Sequence, residues 1–389
     1  MGKRDGKGIF LSGGGLKLMK NKKCQKILSV LMGVLSLAFG AILGVIIVSY
    51  VEWELALGEY FLMLAANIIA VTAIYFLQII IHEGGHLIFG LISGYRFNSF
   101  RIGSVIVTKE GGKLRLGSYS LAGTAGQCLM YPPEEKEKIP YVLYNLGGVI
   151  TNLVASAAFF AIWLAFPAVS VLSPALLGGA LIGVYTAVTN GVPMQVGMVN
   201  NDGLNAASLG NDEHALRSFA CQLRVNARMA RGERLRDMPR ELFELAEGAD
   251  GDNPINAAIK VFACNRLVDE HRFAEARTLC EVLIADEAVI PIYKNMLTCD
   301  LAFCEMMAGE CDRAASRFNA ELTKFFSLMP KYPSIVRTRY AHALLCERNA
   351  EKAGAYKSDF EKLAKSYPYK GDIESERELI LEAERAVNA

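Results

Sequence analysis

The stretch Tyr60–Tyr95, YFLMLAANIIAVTAIYFLQIIIHEGGHLIFGLISGY, contains a single charged residue, Glu83. From Tyr60 to His82 there are 23 residues without a charge, and about 20 apolar residues suffice to cross a bilayer as a helix. A transmembrane helix is therefore expected, and its far end carries His82-Glu83-Gly84-Gly85-His86, an H-E-x-x-H. Residues four apart share one helix face, so both imidazoles can take corners of the same zinc tetrahedron. The Glu beside the first His can reach a water that the metal acidifies toward a pKa of about 7, and can accept its proton. A hydroxide beside a Lewis acid is what amide hydrolysis needs. With five His and 28 Glu in the chain, chance alone yields roughly 0.005 such motifs, so coincidence explains little. The competing reading is a buried His-Glu-His cluster that only packs helices. Against it, ionisable groups inside a span are costly and mark function. Gly84 and Gly85 each cost a helix up to about 1 kcal/mol relative to Ala, but they leave room for another chain beside the metal.

Working outward, Ile27–Val51 is 25 residues without a charge, and Ile139–Asn201 is 63, broken by Pro167, Pro174 and Pro193. Spans are expected near 27–51, 60–82, 141–166 and 174–190, with Ser173 as a helix cap and Pro174 at the first helical position. Lys and Arg set the orientation. Residues 1–26 hold eight, the 52–59 loop none, the 96–138 loop seven and the 167–173 turn none. Both termini are then cytoplasmic. Tyr60 to His82 rises about 33 Å at about 1.5 Å per residue, the full hydrocarbon core, which puts the metal toward the cytoplasmic side. The first apolar segment is too long for a cleaved signal peptide and lacks a small-residue cleavage pattern. Ser12-Gly13-Gly14-Gly15 before Met19 suggests a translated ribosome-binding site, with Met19 as the start in place of Met1.

The charge is unevenly divided. Of 389 residues, the first 203 hold 25 charges and the remaining 186 hold 56, so a membrane part precedes a soluble part. The net charge of +1 excludes a strongly basic nucleic-acid surface. Between the second and third spans, Ser104–Thr108 reads as a strand, Glu110-Gly111-Gly112 as a turn and Lys113–Leu116 as a returning strand. A short hairpin is expected there, with an irregular loop as the alternative.

A catalytic zinc takes three protein ligands. The other His are His214, His271 and His342, and the last two lie deep in the soluble half. Asp202 is the better third ligand, being the first charge after the 63-residue uncharged stretch; the alternative is an ordinary Asp-Gly turn. At this point a resemblance applies. His82–His86 in a transmembrane helix, followed by Asp202-Gly203 after a later one, resembles the site-2 protease family of intramembrane zinc metalloproteases. Gly148-Val-Ile-Thr-Asn152 is similar to the family's Gly-Pro-x-x-Asn, with Val149 in place of Pro. Asn190-Gly-Val-Pro193 is similar to its Asn-x-x-Pro. The likeness covers roughly 60–205. It implies one Zn2+ per chain held by His82, His86 and Asp202, with Glu83 as the base. It also implies that Asn152 and Asn190 help hold an unwound substrate, and that the 104–116 hairpin offers an edge to it. For Asn152 a plain polar helix–helix contact is the alternative. Two departures stand out: Asn201 replaces the usual Leu before Asp-Gly, and the gap from Pro193 to Asp202 is longer.

In the soluble half, Arg272–Ala276 recurs loosely as Glu310–Ala314 and Asn349–Ala353, at steps of 38 and 39. Each lies between helical patterns. The repetition resembles a tetratricopeptide array, whose period is nearer about 34. Stacked helix pairs would present a concave surface suited to a peptide or partner protein; a plain bundle is the alternative. Nine cysteines, an odd number without C-x-x-C, indicate neither a disulfide framework nor a second zinc site. Seven lie in the soluble half, which fits a reducing cytoplasm, and Cys264 and Cys280 read as small core residues.

The expected fold class is an α-helical membrane protein of about four transmembrane helices with a small β-hairpin in the cytoplasmic loop, joined to an all-α soluble helical-repeat domain. Its parts are a basic N-terminal segment at 1–26, a membrane metalloprotease domain at 27–209 and a cytoplasmic repeat domain at 210–389. The expected function is an intramembrane zinc endopeptidase that cuts a membrane protein or membrane-peptide precursor in or near its transmembrane segment. Its partners would be that substrate, a protein bound by the helical domain, and the lipid bilayer, with no nucleic acid. The alternatives are a catalytically inactive membrane adaptor acting through the repeats, and a transporter or channel. Intact His82, Glu83 and His86 argue against the first; the absence of an internal membrane repeat argues against the second.

Overall fold

The computed structural model describes residues 22–110, 112–121, 123–132, 140–166, 171–210 and 212–388. The alternative starts at Met1 and Met19, most of the basic N-terminal segment, Gly111 of the expected turn and residues 167–170 lie outside the described residues. The chain is mostly helical, with fourteen α-helices among the described residues. It divides into two compact units, one of residues 1–93, 140–196 and 200–211, the other of residues 94–139, 197–199 and 212–389.

The first unit holds α1 (Lys22–Ser49), α2 (Leu57–Ile92), α3 (Val142–Ala165), α4 (Leu172–Gly191) and α5 (Asp202–Leu209). Helices α1 to α4 are long and apolar enough to cross a membrane. Their outward residues are apolar and bare, such as Leu37 at 77% and Ile69 at 68% exposure, a surface that water tolerates poorly at this extent. The expected second span is only part of α2, which runs 36 residues, about 54 Å at the helical rise. Ser173 does not cap α4. The helix starts two residues earlier, at Leu172 after Val171, and the Ser173 hydroxyl donates to Phe166 O at 3.4 Å.

Helices α2, α3 and α4 meet through small residues, the means by which apolar helices approach closely when no hydrophobic drive is available. A Cβ on Gly85 would lie 2.3 Å from Gly147 O, and one on Gly183 would lie 2.5 Å from Gln78 Nε2. This closeness lets polar groups on facing helices bond directly.

In the second unit four antiparallel strands form a sheet in the order β3-β2-β1-β4, with β1 at Arg96–Ile102, β2 at Val105–Glu110, β3 at Lys113–Ser118 and β4 at Gly126–Tyr131. The expected hairpin is β2–β3, paired from Val105↔Ser118 to Glu110↔Lys113. The two flanking strands enlarge it into a sheet, and the contacts group that sheet with the helices of residues 212–389. Ser118 N donates to Ser366 O at 2.9 Å, and Tyr119 packs edge-on against Tyr367 and Tyr369.

The remaining helices of this unit are α6 (Glu213–Ala230), α7 (Pro254–Asp269), α8 (Phe273–Ala285), α9 (Pro291–Met307), α10 (Cys311–Arg317), α11 (Ala320–Leu328), α12 (Pro333–Ala341), α13 (Ala350–Ala364) and α14 (Lys370–Asn388). The repeat is visible in their construction. Helices α7, α9 and α12 each open on a Pro, which loses no hydrogen bond in the first turn. The turns that follow them contain His271, Gly309 and Arg348, all with positive φ (59°, 78° and 53°). Helices α8, α10 and α13 then begin, and each buries an alanine, Ala276, Ala314 and Ala353, against its partner. The insertion of α11 sets the second pair apart.

The cysteine expectation is corrected too. Cys311 and Cys346 form a disulfide with Cα atoms 5.3 Å apart, where no bridge was indicated. They are 35 residues apart, about one repeat, so stacking brings together two turns that local spacing does not relate. Cys264 and Cys280 are fully buried core thiols, with sulfurs 3.3 Å apart.

Candidate metal centre

His82 and His86 lie one turn apart on α2, and Asp202 is the first residue of α5. Their ligand atoms converge. Asp202 Oδ2 is 3.0 Å from His82 Nε2 and 3.3 Å from His86 Nε2, and the two imidazole nitrogens are 3.3 Å apart. Among the described residues this is the one His/Cys/Asp/Glu group able to hold a metal ion.

The hydrogen bonds on the far side of each ring fix the tautomers. His82 Nδ1 lies 2.6 Å from Asn152 Oδ1, and His86 Nδ1 lies 2.7 Å from Tyr144 O. Both partners are oxygens that only accept, so both Nδ1 atoms carry the proton. In the neutral imidazoles each Nε2 then presents a lone pair toward the other and toward the carboxylate. Three such donors packed together repel unless a cation sits among them. Ligands about 2.0–2.1 Å from a tetrahedral zinc lie about 3.3 Å from one another, which matches the separations here. The residues fit zinc, with the outer hydrogen bonds that orient metal-binding imidazoles.

Asn152 is fully buried. Its amide nitrogen donates to Gln78 O at 3.0 Å and Gln78 Oε1 at 2.7 Å, and Gln78 Nε2 passes the chain on to Gly179 O at 2.8 Å. Asn152 therefore faces His82 and α2, with both ends of its amide engaged. Gly148 makes this possible, since a Cβ there would come within 2.6 Å of the His82 ring. Asn190 lies in the last turn of α4, half-buried, with its amide nitrogen bonded to Thr186 O in its own helix. Glu83 is 7% exposed on the same helix as the two imidazoles.

The loop that precedes Asp202 is held by Asn201. Asn201 Oδ1 accepts from Met194 N (3.1 Å) and from Leu204 N (2.9 Å), the latter as the cap of α5. Its Nδ2 donates to Thr189 O (2.8 Å) and Val192 O (2.6 Å). One buried side chain thus ties both ends of residues 192–201 together. The extra length passes through the short strands Gln195–Val196 and Val199–Asn200. Gly203 lets α5 press on the end of α4, because a Cβ there would stand 2.2 Å from Gly191 O.

The competing ligands are otherwise engaged. Asp212 caps α6, accepting from His214 N and Ala215 N. His271 and His342 face Glu378 and Glu347 in the second unit. The sequence did not show Gln78, the Tyr144 carbonyl or Asn201 as parts of the site; the buried polar Gln78 within an apolar span was the one available signal. No family model, curated protein or solved structure matches the chain.

Proposed function

We propose that the protein is an intramembrane zinc endopeptidase of the site-2 protease type, hydrolysing a peptide bond in or near a transmembrane segment of another protein. The observation that carries the reading is the convergence of His82 Nε2, His86 Nε2 and Asp202 Oδ2 within 3.3 Å of one another, with Glu83 buried beside them in an otherwise uncharged span. A zinc ion held by these three residues would polarise a carbonyl and acidify a water. Glu83 accepts the proton of the attacking water and returns it to the departing amine nitrogen. Asn152 and the Tyr144 carbonyl hold the proton on each Nδ1, so that the neutral imidazoles would turn their Nε2 lone pairs to the metal. The substrate helix must unwind to present its amide, and Gly84, with open space where a Cβ would project, leaves an approach. Asn190 remains a candidate for holding that unwound segment; Asn152 acts through His82. The helical repeats recruit the substrate or control its access.

Removing the metal tests this. Purified full chain should bind close to one zinc per chain, and o-phenanthroline should abolish cleavage of a pool of synthetic single-span peptides, read as new N-termini by mass spectrometry. One equivalent of zinc should restore it. Cleavage indifferent to the chelator, or a chain that takes up no zinc, overturns the proposal.

We further propose that both termini are cytoplasmic, from the Lys and Arg distribution. In a cysteine-free background, a cysteine at Glu54 should react with an impermeant maleimide on intact cells and one at Lys362 should not. The reverse pattern inverts the topology. Among the described residues the Cys311–Cys346 bridge stands in a unit whose six other cysteines are buried and form no disulfide, unlike the disulfide-dense scaffolds of secreted domains.

A further inference from the structure

We propose a phosphate-binding cleft in the second unit, separate from the metal centre. A cavity of about 330 Å³ is lined by Tyr131 at the end of β4, by Arg224, Ala227, Arg228 and Arg231 on or just after α6, and by Glu233. The arginines are spaced i, i+4 and i+7, so they share one face of the helix. Three guanidiniums therefore meet a single carboxylate. That carboxylate is committed, since Arg228 Nη1 lies 2.8 and 3.2 Å from the two oxygens of Glu233.

The other two arginines have no acidic partner among the described residues. Arg231 is fixed by a bond from its Nε to Ala227 O at 3.2 Å and lies 5.9 Å over the Tyr131 ring. Arg224 lines the cleft half-buried, and its Nε is shut off from solvent with no hydrogen-bond partner. A buried donor left unmade is costly, and like charges sharing a cleft add to that cost. Several other arginines of this unit do meet carboxylates: Arg266 meets Glu270, Arg277 meets Glu310, Arg317 meets Glu305, and Arg337 meets both Asp300 and Glu376.

What it lacks is an anion that takes several forked donors at once. Planar guanidiniums match the oxygens of a phosphoryl group bidentately, and Arg is preferred over Lys where that geometry matters. The ligand class is a phosphate mono- or diester or inorganic phosphate, either a lipid headgroup or a free ion.

The test uses the full chain in nanodiscs and two probes. Inorganic phosphate is titrated calorimetrically into protein in phosphatidylcholine discs. Separately, discs containing phosphatidic acid are examined by native mass spectrometry for retained lipid. Saturable phosphate binding identifies a free-ion site; retention of phosphatidic acid that phosphate does not displace identifies a headgroup site. In either arm Arg224→Gln with Arg231→Gln should weaken binding about 100-fold, about tenfold for each charge-assisted contact. Arg240→Gln, exposed and outside the cleft, should change nothing, and an unchanged circular dichroism spectrum shows that the double variant folds. No saturable binding of either probe, or wild-type binding by the folded double variant, overturns the proposal.

Discussion

Glu83→Gln should leave zinc content near the wild-type value and lower the cleavage rate about 10²–10⁴-fold, the contribution of a positioned general base. The substitution preserves shape and removes only the ability to accept and return a proton. Glu83 lies next to His82 on a buried turn of α2, so a loss confined to catalysis is the signature of a base. A loss of zinc together with activity would instead make it a packing or ligand-orienting group. Zinc by elemental analysis and cleavage of the same peptide pool, measured on one preparation, separate these outcomes. A variant that retains both zinc and full cleavage eliminates Glu83 from the chemistry. Such a result would also strengthen the reading of the chain as an adaptor whose repeats do the work.

The long apolar helices and the His82, His86 and Asp202 group were legible because a membrane segment makes charge scarce. When one acidic residue occurs between Tyr60 and Tyr95, its position is informative without any fold. The far end of α2 was not legible in the same way, because hydropathy marks where lipid begins and says little about where a helix stops. Strands β1 and β4 were missed for another reason. The Phe97-Asn98-Ser99 stretch breaks period-two alternation, and the ladder to β4 is irregular there. The partners that orient the imidazoles are tertiary facts. Nothing local tells Asn152 to face His82, or Asn201 to bridge both ends of its loop. The departures from the family pattern at Asn201 and in the Pro193–Asp202 gap belong together: a longer loop needs a clasp, and a Leu at 201 would offer none. The Cys311–Cys346 pair was hidden likewise, because its proximity arises from stacked repeats.

Asp202→Ala should weaken zinc binding by more than about 100-fold, beyond the 10–100-fold expected from losing an outer partner, and should abolish cleavage. The argument is one of count and place. His82 and His86 supply two ligands, a catalytic zinc needs three, and Asp202 Oδ2 is the carboxylate oxygen within 3.3 Å of both imidazoles. Asn201→Ala separates position from chemistry. It keeps every ligand but removes the cap of α5, a cost of about 1 kcal/mol, and unties Thr189, Val192 and Met194 from the loop. Zinc affinity should then fall about 10–100-fold, with cleavage recovered at high zinc if the loop still reaches its closed form. Asp212→Ala and His214→Ala should leave zinc binding unchanged, since Asp212 caps α6 and His214 lies in its first turn. Competition against a calibrated chelator measures all four variants on one scale. If Asp202→Ala holds zinc as tightly as the wild type while Asp212→Ala or His214→Ala loses it, the third ligand lies ten or more residues further along. Asn201 then caps a helix whose first residue has no part in binding metal.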